Sequence, residues 1–363
     1  MSSENSPAEK FLAVDIGGSK LLTALVSRGA SGEPCLTGVA RRALARDCGQ
    51  AGVLSAIESA VDETLRTTNS TVDSFWGIGA TIPGLADPEK GMWVYAPFSG
   101  IGDFAIAKIL RERYGKPVAV ENDVNACAWA EKIFGACQDA DNFLWITVSN
   151  GIGGGLVLDG KVYPGPFAGA AEIGHVKIVE NGALCGCGGR GCLEAEAAGP
   201  AIARRFAQRY SDNSNGSAGN SGSAGNNGSA GADSAAVRII MDYKKSKGLP
   251  QDAPLDAKQI AELARAGVTL AKEVYDTSGY YIGRAAAMAA NIINPEKIVI
   301  GGGVAGAFDL LEPEMTRVFN DQLFKTVNRS LKIVKTALGY EAGLYAAASL
   351  LCDARGAFRH DLR

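Results

Sequence analysis

The chain alternates short apolar runs with longer segments in which apolar residues recur at the spacing of a helix. Short runs bounded by glycine or acidic residues predict buried strands, whereas Val53, Ile57, Ala60 and Val61 would share one face of a helix. The predicted strands are 11–16, 21–26, 75–80, 118–120, 142–148 and 297–300, and the predicted helices are 49–69, 103–114, 124–134, 202–209, 235–247, 257–266, 267–291 and 342–351. This alternation predicts an α/β protein.

Two pairs of predicted strands are joined by glycine-rich turns, at residues 17–20 and 150–155. Backbone N–H groups at such turns can converge on phosphate oxygens, and Asp15, near the end of the first strand, could hold a hydrated Mg2+. A sequence of the form Asp-x-Gly-Gly between strands is also common as a simple turn. Because the two turns are alike, they suggest two similar halves that face each other across a cleft.

Three polar residues, Glu121, Asn122 and Asp123, follow the predicted strand 118–120 and precede a helix. A strand that ends in this way delivers its side chains to a crevice. Asp123 could act there as a general base, with Asn122 as a hydrogen-bonding group for a polar substrate. The alternative is that Asp123 only caps the following helix.

Two further glycine turns follow predicted strands. Gly84 lies in a Pro-Gly turn, where the absence of a side chain would let a ligand approach the backbone. The same sequence is also ordinary turn chemistry. Residues 301–303 are three glycines after the strand 297–300, and a flat base or ribose could lie against their bare backbone.

The segment 172–194 carries the most specific chemistry in the sequence. Cys185, Cys187 and Cys192 fall within eight residues, and His175 precedes the first of them by ten positions. Three thiolates and one imidazole form a complete tetrahedral ligand set for structural zinc, and they leave no open position for catalysis. The sequence therefore predicts a metal that holds shape.

Glu172 and Glu194 are the carboxylates at the two ends of this segment, so the metal would hold them in place. An accidental cluster of thiols is the alternative reading of the same pattern. A disulfide is not favoured, because closing so short a loop would strain the bond and nothing in the sequence suggests an oxidising compartment.

Composition excludes some classes of partner. The chain has 363 residues, of which 47% are hydrophobic and 21% are charged, and its net charge is −3. This length predicts two domains, and the charge gives no footprint for nucleic acid. No apolar run approaches the roughly 18 residues of a membrane span, and the polar N-terminus lacks a signal-peptide pattern, so a cytoplasmic protein with no membrane partner is expected. The Ser/Gly/Asn/Ala-rich segment 211–234 predicts a flexible insertion.

Taken together, these motifs resemble those of the ROK family of sugar kinases and related repressors. They read D-I-G-G-S-K, T-I-P-G-L-A-D, E-N-D-V-N-A, N-G-I-G-G-G-L-V-L-D-G-K, A-E-I-G-H, C-G-C-G-G-R-G-C-L-E and I-V-I-G-G-G-V-A. The resemblance implies the α/β actin-like ATPase (ribonuclease H-like) fold, with two similar domains and an interdomain cleft. The domains would be 10–122, completed by a C-terminal helix at 341–353, and 123–340, which contains the metal-binding segment and the insertion.

The resemblance also implies roles for individual residues, with Asp123 as the catalytic base. The substrate site would contain Gly84, Asn122, Asp123, Glu172, His175 and Glu194. The nucleotide site would contain Asp15, Gly17, Gly18, Ser19 and Lys20 in a first phosphate motif, Asn150, Gly151, Gly153 and Gly154 in a second, and Gly301, Gly302 and Gly303 in an adenosine motif. The metal ligands would be His175, Cys185, Cys187 and Cys192. Two departures from the family pattern are Asn150, in place of a threonine, and a loop at 95–100 without the asparagine often placed against the sugar.

The implied activity is phosphoryl transfer from ATP to a primary hydroxyl of a hexose, with glucose as the first expectation. N-acetylmannosamine, N-acetylglucosamine or fructose would be alternative substrates, and a non-catalytic, sugar-binding transcription regulator is the alternative class of protein. The phosphate motif begins at Asp15, so we expect no helix-turn-helix domain before it. The implied cofactors are ATP, Mg2+ and structural Zn2+, and the resemblance implies a homodimer.

Overall fold

The chain forms two five-stranded sheets. The structure is a computed structural model and describes residues 10–28, 33–45, 47–96, 100–216, 230–324 and 330–352. The first sheet contains β1 (Lys10–Ile16), β2 (Lys20–Arg28), β3 (Pro34–Ala43), β4 (Gly77–Ile82) and β8 (Val118–Asn122). The second contains β9 (Phe143–Val148), β10 (Ile152–Leu158), β11 (Lys161–Val162), β12 (Lys297–Gly301) and β13 (Ile333–Lys335).

The two sheets have the same topology. The strand orders are β3-β2-β1-β4-β8 and β11-β10-β9-β12-β13. In each sheet the first three strands in chain order form an antiparallel meander, and the last two pair in parallel beside the first. This repeat confirms the two similar α/β halves expected from the glycine turns. The boundary proposed between residues 122 and 123 stays a prediction.

A third, smaller sheet contains β5 (Leu85–Asp87), β6 (Met92–Ala96) and β7 (Ile101–Phe104). The sequence interpretation missed it and began a helix at residue 103. That helix begins at Ile106 instead, because residues 101–104 pair with β6 and the Phe104 ring stacks on buried Trp93 with the ring centres 6.3 Å apart. The small sheet follows Gly84 directly and lies at one end of the first sheet.

Helices surround both sheets. Their bounds are α1 Gly49–Thr67, α2 Ile106–Tyr114, α3 Asp123–Ile133, α4 Leu193–Ala197, α5 Gly199–Gly216, α6 Ala230–Ser246, α7 Ala257–Arg265, α8 Thr269–Ile293, α9 Phe308–Gln322 and α10 Ala342–Ser349. Part of the insertion predicted at 211–234 is helical, since 211–216 belong to α5 and 230–234 to α6, while 217–229 lie outside the described residues. Among the described helices, none is long and apolar enough to cross a membrane.

The helices α3 and α10 lie between the two large sheets. On α10, Leu344 belongs to a buried apolar cluster that includes residues of β1 and β2, while Ala346 belongs to one that includes residues of α3, β9 and β12. The Trp129 indole N–H of α3 donates to the carbonyl of Ser349 on α10 at 3.0 Å. The C-terminal helix thus contributes to apolar clusters of both halves, and its assignment to the first domain stays a prediction.

Candidate active site

The turn between β1 and β2 holds two opposite charges close together. The N–H of Gly17 donates to the carbonyl of Lys20 at 2.8 Å, which closes the turn at residues 17–19. The carboxylate of Asp15, on β1, accepts a hydrogen bond from the Thr81 hydroxyl at 2.9 Å. Burial raises the pKa of Asp15, while the Thr81 hydrogen bond and the nearby Lys20 ammonium oppose that rise. A carboxylate and a lysine at one turn are suited to a metal-bound phosphate group.

Asp123 is the first residue of α3, directly after β8. Its Oδ1 atom accepts the N–H of Val124 at 3.0 Å and a side-chain N–H of Asn122 at 3.2 Å. Burial raises the pKa of Asp123 to about 7, and the negative charge of Asp15 adds to the rise. The two carboxylates thus influence each other electrostatically, and a group with this pKa is suited to accept a proton near neutral pH.

The residue that caps α3 is Asn122. Its side-chain oxygen accepts the N–H groups of Val124 at 2.9 Å and Asn125 at 3.1 Å. The interpretation of Asp123 as the helix cap is therefore wrong, and the cap role does not account for its presence. The Asn122 amide group also donates to the carbonyl of Gly84 at 2.8 Å. The oxygen and the nitrogen of the Asn122 amide both have partners within the protein, so the sugar contact of Asn122 stays a prediction.

Gly84 has a structural reason to be glycine. Its φ is +82°, and a Cβ atom there would collide with the carbonyl oxygen of Tyr95 on β6. Only glycine adopts this conformation without strain. The absence of a side chain at Gly84 thus lets strand β6 approach the backbone. The proposed contact of Gly84 with a ligand stays a prediction.

The second glycine-rich segment is a shorter turn than the sequence suggested. Residues 149–151 alone connect β9 to β10, and Gly153, Gly154 and Gly155 belong to β10. A Cβ atom on Gly155 would lie 2.8 Å from the Val124 carbonyl oxygen, and one on Gly153 would lie 3.1 Å from the Val124 side chain. These glycines are therefore required for close packing of α3 on β10, which brings the start of α3 to the second turn.

Glu194 connects the second turn to the cysteine-rich loop. One carboxylate oxygen accepts the N–H of Ile152 at 3.0 Å, and the other lies 3.7 Å from Cys185 Sγ. A Cβ atom on Gly151 would lie 2.5 Å from the same carboxylate, so the turn can close over Glu194 only with glycine there. A cavity of about 170 Å³ opens beside this contact, with Asn150 and Glu194 in its wall.

The four predicted metal ligands meet in one cluster. The ligand atoms of His175, Cys185, Cys187 and Cys192 all lie within 4.8 Å of one another, and the cysteines are free thiols. Cys187 Sγ lies 3.6 Å from Cys192 Sγ, and Cys185 Sγ lies 3.7 Å from His175 Nδ1. Sulfur atoms bound tetrahedrally to zinc at about 2.3 Å would be about 3.8 Å apart. The residues therefore fit Zn2+, and the ion itself stays a prediction.

The surroundings of the cluster also suit a metal. The other nitrogen of His175, Nε2, lies 3.9 Å from a Glu172 carboxylate oxygen, so a negative charge adjoins the imidazole without a hydrogen bond to it. The Lys177 ammonium lies 3.0 Å from Cys192 Sγ and would offset the charge of the thiolates. Sequence reasoning missed Lys177, although a basic residue two positions after a ligand histidine is a usable signal.

The third glycine turn lies beside the second. Gly302 has φ +84°, and a Cβ atom there would lie 2.6 Å from both Thr147 Oγ1 and the Val148 carbonyl oxygen. A Cβ atom on Gly303 would lie 3.6 Å from Ser149 Oγ. The predicted adenosine motif and second phosphate motif are thus adjacent at the carboxyl ends of parallel strands β12 and β9, where ligands of α/β sheets bind.

Comparison with known proteins identifies the family of the chain. The sequence profile of the ROK family matches residues 11–354. The chain belongs to the ROK family. It is 31% identical over 351 residues to a glucokinase of Thermotoga maritima, with 96% of this chain and 99% of the relative covered. It is 29% identical to the DNA-binding transcriptional dual regulator NagC of Escherichia coli, with 82% of this chain and 64% of the regulator covered.

A solved structure of the ROK family confirms the expected actin-like ATPase fold. A ROK glucokinase from Streptomyces griseus, in complex with glucose and AMPPNP, superimposes with a TM-score of 0.75. It is 28% identical, and the alignment covers 94% of this chain and 98% of that chain. The ROK relatives thus include both kinases and a regulator.

Two residues of the candidate site, Thr81 and Tyr340, were not among those predicted from the sequence. Thr81 is hydrogen-bonded to Asp15, and Tyr340, just before α10, accepts a hydrogen bond from the Lys20 ammonium at 3.0 Å. The signal for Thr81 was its position at the end of a buried strand beside β1. Tyr340 gave no local signal, because its partner is 320 residues away along the chain.

Proposed function

We propose that this ROK protein is an ATP-dependent hexose kinase that phosphorylates a primary hydroxyl, with glucose as the first candidate substrate. The observation that carries the proposal is the state of Asp123. Its carboxylate is not the helix cap, its pKa is raised to about 7, and it interacts with Asp15 of the first phosphate turn. Glucokinases aligned along nearly their whole length support the same activity.

In the proposed reaction, Asp123 accepts the proton of the sugar hydroxyl as its oxygen attacks the terminal phosphate. The hydrogen bonds that the carboxylate accepts from Val124 and Asn122 both fall on Oδ1. The other oxygen, Oδ2, is therefore the one that would receive the proton. The two bonds on Oδ1 fix the orientation of the carboxylate, so the base is held in place before substrate binds.

The nucleotide phosphates would lie between the first and second turns. Asp15 would hold the hydrated Mg2+, and Lys20 and the turn N–H groups would contact phosphate oxygens. When bound, Mg2+ would offset the negative charge of the phosphates. Gly302 and Gly303 adjoin the second turn, so the base and ribose of ATP would lie along them, while its phosphates point toward Asp15.

The sugar would be bound next to the cysteine-rich loop. Glu172 faces His175, and Glu194 faces both Cys185 and the second turn. A zinc ion held by the four ligands would fix both glutamates relative to Asp123. Carboxylates that hydrogen-bond sugar hydroxyls discriminate strongly against analogues that lack those hydroxyls.

A panel of sugars tests the proposal directly. Purified protein with MgATP is assayed for ADP release with glucose, mannose, fructose, N-acetylglucosamine and N-acetylmannosamine. We expect the highest kcat/KM with glucose. Turnover of an N-acetylated sugar instead would support the kinase activity but change the assigned substrate. Absence of ADP release with every sugar would contradict the proposed kinase activity.

A sugar-responsive regulator is the second candidate, and the similarity to NagC favours it. A regulator would bind a sugar without turning it over. Calorimetric sugar binding in a preparation with no kinase activity would therefore support this function over the first.

A further inference from the structure

Tyr340 contacts the lysine of the first phosphate turn from the other end of the chain. The Lys20 ammonium donates to the Tyr340 hydroxyl at 3.0 Å and lies 4.8 Å from the centre of the ring. The Tyr340 side chain is largely exposed, with a relative exposure of 70%. Core packing therefore does not account for its position, and its main described partner is Lys20.

The same segment also touches the acidic residue of that turn. Gly343, the second residue of α10, lies so close to Asp15 that a Cβ atom would collide with the Asp15 carboxylate. Residues 340–343 therefore contact both charged side chains of the turn. Tyr340 restrains the position of the Lys20 side chain, while Gly343, three residues later, leaves room for the Asp15 carboxylate.

The chemistry of the contact preserves the charge of Lys20. An aromatic face and a neutral hydroxyl attract an ammonium group without neutralising it, whereas a carboxylate would compete with phosphate. Burial raises the pKa of Asp15, and the Lys20 charge opposes that rise, so the ammonium acts on the side of the turn where Asp15 lies. An ammonium has three N–H donors, and the hydroxyl of Tyr340 takes one of them.

We propose that Tyr340 is a positioning residue for nucleotide binding, which holds the Lys20 ammonium at the first turn so that its remaining donors meet the phosphate oxygens. The inference rests on the proposed function, because it needs a nucleotide at that turn. A lysine side chain loses considerable rotational freedom when it binds a ligand. Tyr340 restricts that freedom beforehand, so binding costs less.

Calorimetric titration of the zinc-replete protein with MgADP tests the inference without turnover. Tyr340→Ala should raise the Kd of MgADP by about fivefold, the size expected when an exposed cation–π contact and a hydrogen bond are lost. Tyr340→Phe keeps the ring and should raise the Kd by about twofold or less. With MgATP, the KM for ATP should rise by the same factors while kcat changes little.

A double-mutant cycle shows whether Tyr340 acts through Lys20. In a Lys20→Met background, Tyr340→Ala should have no further effect on the Kd of MgADP. The matched control is Tyr243→Ala, which removes a ring on helix α6 that lies next to another lysine, Lys247, at 5.3 Å, and neither residue is a predicted site residue. The control should leave the Kd unchanged.

Three outcomes would overturn the inference. An unchanged or lower Kd in Tyr340→Ala would mean that the ring does not position the lysine, or that it sequesters the lysine from phosphate. A full additional effect in the Lys20→Met background would mean that Tyr340 acts independently of Lys20. Absence of MgADP binding by the wild-type protein would overturn the proposed function as well, which distinguishes the two failures.

Discussion

The Glu194 carboxylate accepts the backbone N–H of Ile152 at 3.0 Å. Glu194 is the second residue of α4, two positions after Cys192, and Ile152 is the first residue of β10. This hydrogen bond therefore connects the predicted metal centre to the predicted second phosphate turn. The other Glu194 oxygen faces Cys185 at 3.7 Å. A change in the cysteine cluster should therefore reach the proposed nucleotide site as well as the proposed sugar site.

Loss of a metal ligand tests this connection. Cys187→Ser should release zinc and lower the melting temperature by about 5 °C, because structural zinc contributes directly to folding. It should also weaken both glucose and MgADP binding by several-fold. Zinc content by atomic absorption, thermal melts and calorimetry measure the three effects.

The matched control is Cys35→Ser, which removes another exposed cysteine from the first half of the chain. It should retain zinc and both affinities. Cys187→Ser protein with wild-type zinc content would contradict the ligand assignment. Loss of zinc with unchanged MgADP affinity would contradict the connection through Glu194.

Asp123→Asn tests the base. The amide cannot accept the hydroxyl proton, so kcat should fall by roughly 10² to 10⁴-fold while glucose and MgADP still bind. Steady-state kinetics and calorimetry measure the two properties. Asp159→Asn is the control, since Asp159 has φ +50° in the turn after β10 and asparagine tolerates that conformation. Retention of kcat in Asp123→Asn would show that another group removes the proton.

The raised pKa of Asp123 also predicts how stability depends on pH in the ligand-free protein. The folded-state pKa is about 7, against an ordinary value of 3.8, so the folded protein holds this proton more tightly than the unfolded chain. The resulting stabilisation is fully present below pH 3.8 and is lost as the pH rises through about 7.

Between pH 5 and 8, the free energy of unfolding should therefore fall by about 2 kcal/mol more in the wild type than in Asp123→Asn. Urea unfolding at several pH values measures the difference. Asp159→Asn should follow the wild-type curve. Parallel curves for wild type and Asp123→Asn would show that the carboxyl group titrates alike in the folded and unfolded states.

Ala171, the residue before Glu172, adopts φ +61°, a conformation that strains residues with a Cβ atom. Ala171→Gly should relieve this strain and raise the free energy of unfolding by about 0.5 to 1 kcal/mol. Ala170→Gly is the matched control, and there the extra flexibility of glycine should lower stability by a similar amount. Chemical denaturation measures both. Destabilisation by both substitutions would mean that Ala171 carries no strain.

The sequence predicted the cluster of one histidine and three cysteines because its chemistry is local. Three of the four ligands lie within one short loop, and their residue types restrict the possible ligand. The likeness of the two halves was also predictable, since each sheet contains a hairpin with a glycine turn. Asp123 could be located at the end of a strand, but its raised pKa depends first on burial and then on the charge of Asp15, which is distant in sequence.

Other features could not be inferred because they depend on contacts between distant segments. The glycines at 153–155 were interpreted as turn residues, since nothing nearby shows that α3 packs on β10 at that point. The small sheet was missed because its strands are three to five residues long and carry little periodic signal. Its stability depends on Trp93 and Phe104, which meet only after folding.

The position of α10 between the sheets has a consequence for biosynthesis. A ribosome releases β1 and β2 long before it makes residues 340–349, and domains generally begin to fold during synthesis. A nascent chain can therefore form the first hairpin early. The contacts of Lys20 with Tyr340 and of Asp15 with α10 form only when translation is nearly complete. The proposed phosphate-binding turn is thus completed last, around strands that were made first.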